Sequence, residues 1–143
     1  RTWPMGNTLF QIRFKPNKPQ AQEPQAIVAR SGWSDGFDVA LKPDGYIKVT
    51  RNGHTHAYGD KNANLVPITV LESDSPVAFD AWNILKVTCD TQTLSIEING
   101  KPAGQCPIPP ARSYGNCIWF IGAADKHANF NGLVDWLKLD GLP

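Results

Sequence analysis

Two neighbouring stretches, NILKVTCD and TLSIEING, narrow what this chain can fold into more than anything else in it. Apolar side chains recur at every second position: Leu85, Val87 and Cys89 in the first, Leu94, Ile96 and Ile98 in the second. A period of two puts one buried face on a strand, whereas a helix would scatter those residues around its circumference. Asn99-Gly100 follows, two residues that tolerate the positive φ of a tight turn. The same alternation runs through TLFQIRFK, AIVARS, GFDVALK, GYIKVTRN, PITVLES, CIWFIG and GLVDWLKL. Pro43-Asp44-Gly45 supplies a second hairpin turn, between GFDVALK and GYIKVTRN. Pro16, Pro19 and Pro24 mark one loop, and Pro107 to Pro110 another. Twelve Gly and twelve Pro break long helices. The reading is roughly ten to twelve short strands, no helix, and two packed antiparallel sheets.

At 143 residues the chain has the length of one domain with a core of its own, residues 1–143. A net charge of +1 gives no electrostatic footprint for nucleic acid or an anionic membrane, and no apolar run is long enough to span a bilayer. Arg1 runs into Trp3 and an apolar strand with no signal segment, which gives the expectation of a processed protein or one domain of a longer one. The three Cys lack CxxC spacing. Cys89 falls on an inward position, and Cys106 and Cys117 flank PIPPARSYGN, where a bridge is left open.

In the closing strand, Leu133, Leu137 and Leu139 share a parity that reads as inward, with Asp135 in register between them. Trp136 then points out of the core, beside Lys138. The order of motifs is FQIRFKP, GFDV, GYIKV, WNILKVTCDTQTLSIEINGKPAG, WFIG and FNGLVDWLKL. It resembles the laminin-G-like jelly rolls of the concanavalin A-like lectin/glucanase superfamily. Trp82 opens a strand that ends at an acidic turn, Asp90; Asn99, Gly100 and Lys101 match the Asn-Gly-Lys turn. Phe130, Gly132, Val134 and Asp135 match the closing strand. The resemblance implies an all-β, two-sheet antiparallel sandwich, a packed Trp82 and a structural Asp135 that accepts hydrogen bonds. It leaves function open, because glycan-binding modules, adhesion domains, hydrolases and lyases share the fold.

Glycoside hydrolysis generally needs two carboxyl groups about 5 to 9 Å apart. Hydrolases of the fold carry Glu-x-Asp-x-x-Glu on one strand; here Glu23, Glu72 and Glu97 are far apart in sequence and none lies in that pattern. No Gly-x-Ser-x-Gly elbow occurs, and no Cys has an activating His nearby. His54 and His56 project to one side of an extended segment, a spacing that suits a metal with His127 or Asp60, but a solvated loop is the preferred reading because no third ligand is defined. Asp60, Asn62 and Asn64 resemble the first ligands of a calcium loop, without the following Gly or the acid at position twelve. The resemblance allows calcium as a cofactor, since some laminin-G-like domains hold it near the ligand.

The aromatic residues carry most of the functional reading. A sugar ring has an apolar C–H face and a rim of hydroxyls, which a flat aromatic plate and planar polar groups suit. Trp33 sits in SGWSDG, Tyr46 and Tyr58 flank a polar stretch, and Trp136 points outward. Candidate ligand contacts are Trp33, Asp35, Tyr46, Arg51, Asn52, His54, His56, Tyr58 and Trp136. The expectation is a non-catalytic carbohydrate-binding module of a secreted or cell-surface protein, its partner a glycan or polysaccharide. A domain docking its neighbours in the same chain is the alternative, and an atypical hydrolase or lyase the third.

Overall fold

A computed structural model describes residues 8–19, 22–31, 37–54, 65–90, 92–108, 118–123 and 127–141. Ten strands occur among them: β1 Thr8–Pro16, β2 Gln25–Ser31, β3 Phe37–Leu41, β4 Ile47–His54, β5 Leu65–Glu72, β6 Asn83–Cys89, β7 Thr93–Ile98, β8 Lys101–Pro107, β9 Ile118–Ile121 and β10 Gly132–Gly141. No helix is present in the described residues, and so none long and apolar enough to cross a membrane. The strands form two antiparallel sheets of five, with orders β10-β1-β6-β7-β8 (sheet A) and β5-β4-β3-β2-β9 (sheet B). They make a jelly-roll sandwich, as the alternation requires.

Register carries the alternation from strand to strand. Val87 pairs with Phe10 on one side and Ile96 on the other, and Leu85 with Ile12 and Ile98. These side chains and Phe14 therefore share sheet A's inner face, at most 5% exposed. Ile47, Val49, Val39, Leu41 and Val28 face them from sheet B, all at 0%. Each such burial is worth about 1.5–3 kcal/mol relative to exposure, so the interleaved faces are the main stabilising term. Phe130 closes one end, edge-on to Phe14 with ring centroids 6.0 Å apart.

The turns follow their residues. Asn99 and Gly100 both take positive φ (51° and 80°) between the paired Ile98 and Lys101, the conformation a two-residue hairpin needs. The Asn99 carboxamide oxygen accepts from the Ile84 N–H at 2.8 Å, tying the turn to the start of β6. On one side of the sandwich, the Asp74 N–H donates to the Ala103 carbonyl at 2.8 Å and joins the segment after β5 to β8.

Two expectations need correcting. Leu133 does not face inward; it is 59% exposed. Arg13 pairs with Trp136 and Phe14 with Val134, so Asp135 is one residue extra and β10 is bulged there. The inward parity of Leu137 and Leu139, which pack on the core, ends at that bulge. Trp82 is not packed in the core either; it stands just before β6 and is 40% exposed.

Candidate functional site

The sandwich has two outer faces, and they differ. On sheet B, Ala40 alternates with the inward Val39 and Leu41, so parity points it outward, yet it is only 2% exposed. The β9–β10 connection runs along the edge of β2, where Ala128 bridges Gln25, and reaches this face through His127. The Ala26 N–H donates to the Ala128 carbonyl at 2.8 Å, and His127 Nε2 meets Asp38 Oδ2 at 2.8 Å. The second Asp38 oxygen is buried without a hydrogen-bond partner. On sheet A the outward residues Gln11, Arg13, Ile84, Lys86, Ser95 and Glu97 are all partly exposed.

At the β10 side of sheet A the chain builds a small platform. The Arg13 guanidinium lies 4.3 Å from the centroid of the Trp82 ring, and Arg13 pairs across the strands with Trp136, itself 37% exposed. Asp135 Oδ2 accepts from Arg13 Nη1 at 2.6 Å. The bulge explains how this is possible: successive residues of a regular strand point to opposite faces, but around the extra residue Asp135 and Trp136 both flank Arg13. The carboxylate fixes the guanidinium over the Trp82 indole, on the strand directly beside Trp136. The next row across the sheet is Lys138, Gln11, Lys86 and Glu97, each the Cα partner of its neighbour. A cationic, amide and carboxylate row beside two indoles can stack an apolar ring face and hydrogen-bond hydroxyls at its rim.

Among the residues singled out by sequence, Trp136 is in this platform. Arg51 is not: it continues the inward series Ile47, Val49 and is 3% exposed, so it is withdrawn from the contact set. Tyr46 is half-buried at the β3–β4 turn, with Lys42 Nζ 5.9 Å from its ring centroid and Lys42 within 3.4 Å of both Asp44 and Glu72. The Tyr46 N–H donated to Asp44 holds that carboxyl below the usual carboxylate range. Asn52 and His54 lie at the end of β4, and nothing further is described of their side chains. Trp33, Asp35, His56, Tyr58, Asp60, Asn62 and Asn64 lie outside the described residues. The strand ends flanking those segments stand together at one end of sheet B: Phe37 pairs with Arg30 and Arg51, and His54 with Leu65.

No group of three or more His, Cys, Asp or Glu that could hold a metal occurs among the described residues. Cys106 has a free thiol, whose pKa burial pushes up; Cys117 lies outside the described residues. Sequence reasoning missed Arg13, Gln11, Lys86 and the exposure of Trp82. The signal for the first two was in FQIRFKP, where inward Phe10, Ile12 and Phe14 leave Gln11 and Arg13 outward.

This architecture has known counterparts. The laminin-G family model of the concanavalin A-like lectin/glucanases superfamily matches residues 10–139, and the chain belongs to that superfamily. No curated protein matches its sequence. Among solved structures it is similar to domain 4 of AbnA, a GH43 extracellular arabinanase from Geobacillus stearothermophilus, in complex with arabinotriose. That match has 14% identity, covers 97% of this chain and 62% of that one, and has a TM-score of 0.67. Mouse laminin α1 chain, domains LG4-5, matches at 13% identity over 99% of this chain and 38% of that one, TM-score 0.66. The CBM40 of Ruminococcus gnavus IT-sialidase, bound to α2,3-sialyllactose, matches at 13% identity over 96% and 78%, TM-score 0.65. At such identities the likeness is one of fold.

Proposed function

We propose that this chain is a non-catalytic carbohydrate-binding module, one domain of a secreted or cell-surface protein, and that its ligand is a glycan or polysaccharide. The observation that carries this reading is the exposed Trp136–Arg13–Trp82 platform on the open outer face of sheet A. A sugar ring lays its C–H face on Trp136, while Arg13, held by Asp135, and Gln11 donate to its hydroxyls. The structures bound to arabinotriose and sialyllactose share the fold and support a sugar as the class of ligand. An exposed, shallow site of this kind binds weakly, and affinity along a polymer rises through repeated engagement.

The test is polysaccharide gel retardation with intrinsic Trp fluorescence, with calcium and with chelator. Trp136→Ala is expected to weaken binding about tenfold or more, the scale of an aromatic hot spot, and to leave the unfolding midpoint unchanged. Unaltered binding in that variant would refute the platform. If Trp33→Ala carries the loss instead, the proposed contacts are Trp33, Asp35, Asn52, His54, His56 and Tyr58, and Tyr46, at the β3–β4 turn beside Leu41 and Ile47, is not among them. Loss of binding with chelator would assign calcium to Asp60, Asn62 and Asn64; indifference removes that site.

One observation favours docking to a neighbouring domain as the second reading. Leu133 and Val134 on β10 and Phe120 and Ile121 on β9 are 43–59% exposed, on the edge strands of the two sheets. That reading predicts silence across a broad glycan panel.

A further inference from the structure

Sheet A carries a second recess, on the far side from the platform. The β7–β8 ladder is interrupted between Ser95 and Glu97, and Gly104 leaves the gap without a side chain. A cleft of about 590 Å³ opens there, within the size range of ligand sites. Leu71 and Ile96 contribute apolar surface to its lining, and Lys86, Glu97, Ser95 and Gln105 polar surface. Lys86 and Glu97 are partners across β6 and β7. A lysine can only donate and a carboxylate can only accept, so together they suit hydroxyls, which do both.

Lys86 also belongs to the row that runs through Gln11 to Lys138, next to Trp136 on β10. Platform and cleft are thus connected by partly exposed polar residues on one face. In the strand order β10-β1-β6-β7-β8, Trp136 on β10 stands three spacings from Glu97 on β7, roughly 14 Å at about 4.8 Å each. No mono- or disaccharide reaches across that span.

We propose that sheet A binds an extended glycan lying across its strands, with one sugar stacked on Trp136 and a later unit seated in the Lys86–Glu97 cleft. The ligand class is an oligosaccharide longer than a disaccharide, or the interior of a polysaccharide chain. This rests on the carbohydrate-binding reading of the platform and adds a second subsite to it. The cleft residues hold hydroxyls in place, and no bond is made or broken.

The test uses cello-, xylo- and arabino-oligosaccharide ladders from the disaccharide upward, titrated calorimetrically against the whole chain and two variants. Affinity is expected to climb about tenfold or more from the disaccharide to chains long enough to reach the cleft. Ser95→Trp, which fills the cleft from an outward strand position, is expected to abolish that gain and leave disaccharide affinity unchanged. Gln105→Trp on the neighbouring strand should do the same and guards against a folding defect in the first variant. Affinity that stops rising at the disaccharide, or a length gain untouched in both folded variants, would overturn the second subsite while the platform stands. Failure of every ladder to bind would overturn both.

Discussion

Gly132→Ala is expected to destabilise the protein by about 3 kcal/mol or more, with a fall in melting temperature of roughly 10 °C. A Cβ at this position would lie 2.4 Å from the Lys15 carbonyl oxygen, 2.8 Å from Phe130 Cζ and 2.9 Å from Pro16 Cα. Two of those atoms are backbone of β1, where Lys15 and Pro16 pair with Leu133 and Gly132 of β10 and the Pro16 carbonyl accepts from the Asp80 N–H at 2.7 Å, and they cannot step aside singly. The third belongs to the ring that packs edge-on to Phe14, so relief there disturbs the core. Gly100→Ala is the control. Its Cβ meets nothing within 4 Å, so only the positive φ of 80° opposes it, at about 1–2 kcal/mol. Thermal and urea unfolding followed by circular dichroism separates the two. Equal losses would show that close approach at Gly132 is not what matters.

The second large effect is expected at Asn83, which is wholly buried. Its oxygen accepts from the Ala78 N–H at 3.0 Å, and its amide nitrogen donates to the carbonyls of Ala78 and Ala81 at 2.8 and 2.9 Å. Asn99 Nδ2 adds a fourth contact to the same oxygen at 3.4 Å. One carboxamide therefore organises the segment before β6 and touches the β7–β8 turn. Asn83→Ala would leave one N–H and two carbonyls without their partner, at about 1–3 kcal/mol for each group that water cannot reach. A total loss of about 3 kcal/mol is the expected result in urea unfolding. Trp82 adjoins Asn83, so its fluorescence should shift as well, because loosening this segment releases the indole from Arg13. A loss below about 1 kcal/mol would mean that water replaces the side chain at little cost.

The sheets were legible in the chain because their driving force is local and repetitive. Leu85, Val87 and Cys89 set against Leu94, Ile96 and Ile98 could only pair as they do, and Asn99-Gly100 specified the turn that joins β7 to β8. Three misreadings share one cause, which is that parity and chain neighbourhood do not fix the surroundings. Parity puts Leu133 inward because nothing in LVDWLKL announces an extra residue; a bulge is set by the partner strand. Arg51 resembles its polar neighbours in composition, although strict counting from Ile47 and Val49 buries it. The resemblance implies a core Trp82, while its partner, Arg13, lies far off in sequence. The platform depends on side chains brought together from β1, the start of β6 and β10, and alternation alone cannot bring distant segments together.

The extra residue in β10 acts as a frameshift in a two-letter code. Downstream of it, Leu137 and Leu139 are written for the interior; upstream, Leu133 and Val134 are spelled in the same apolar alphabet but read by solvent. The strand thus divides into a conservative half and a permissive half at Asp135. Polar replacements should be tolerated at Leu133 and rejected at Leu137, although the two leucines look interchangeable on paper. Removing Asp135 would close the ladder into one regular frame, with Val134 opposite the inward Phe14 and Leu133 still outward beside Lys15, and would take Arg13's anchor away in the same stroke.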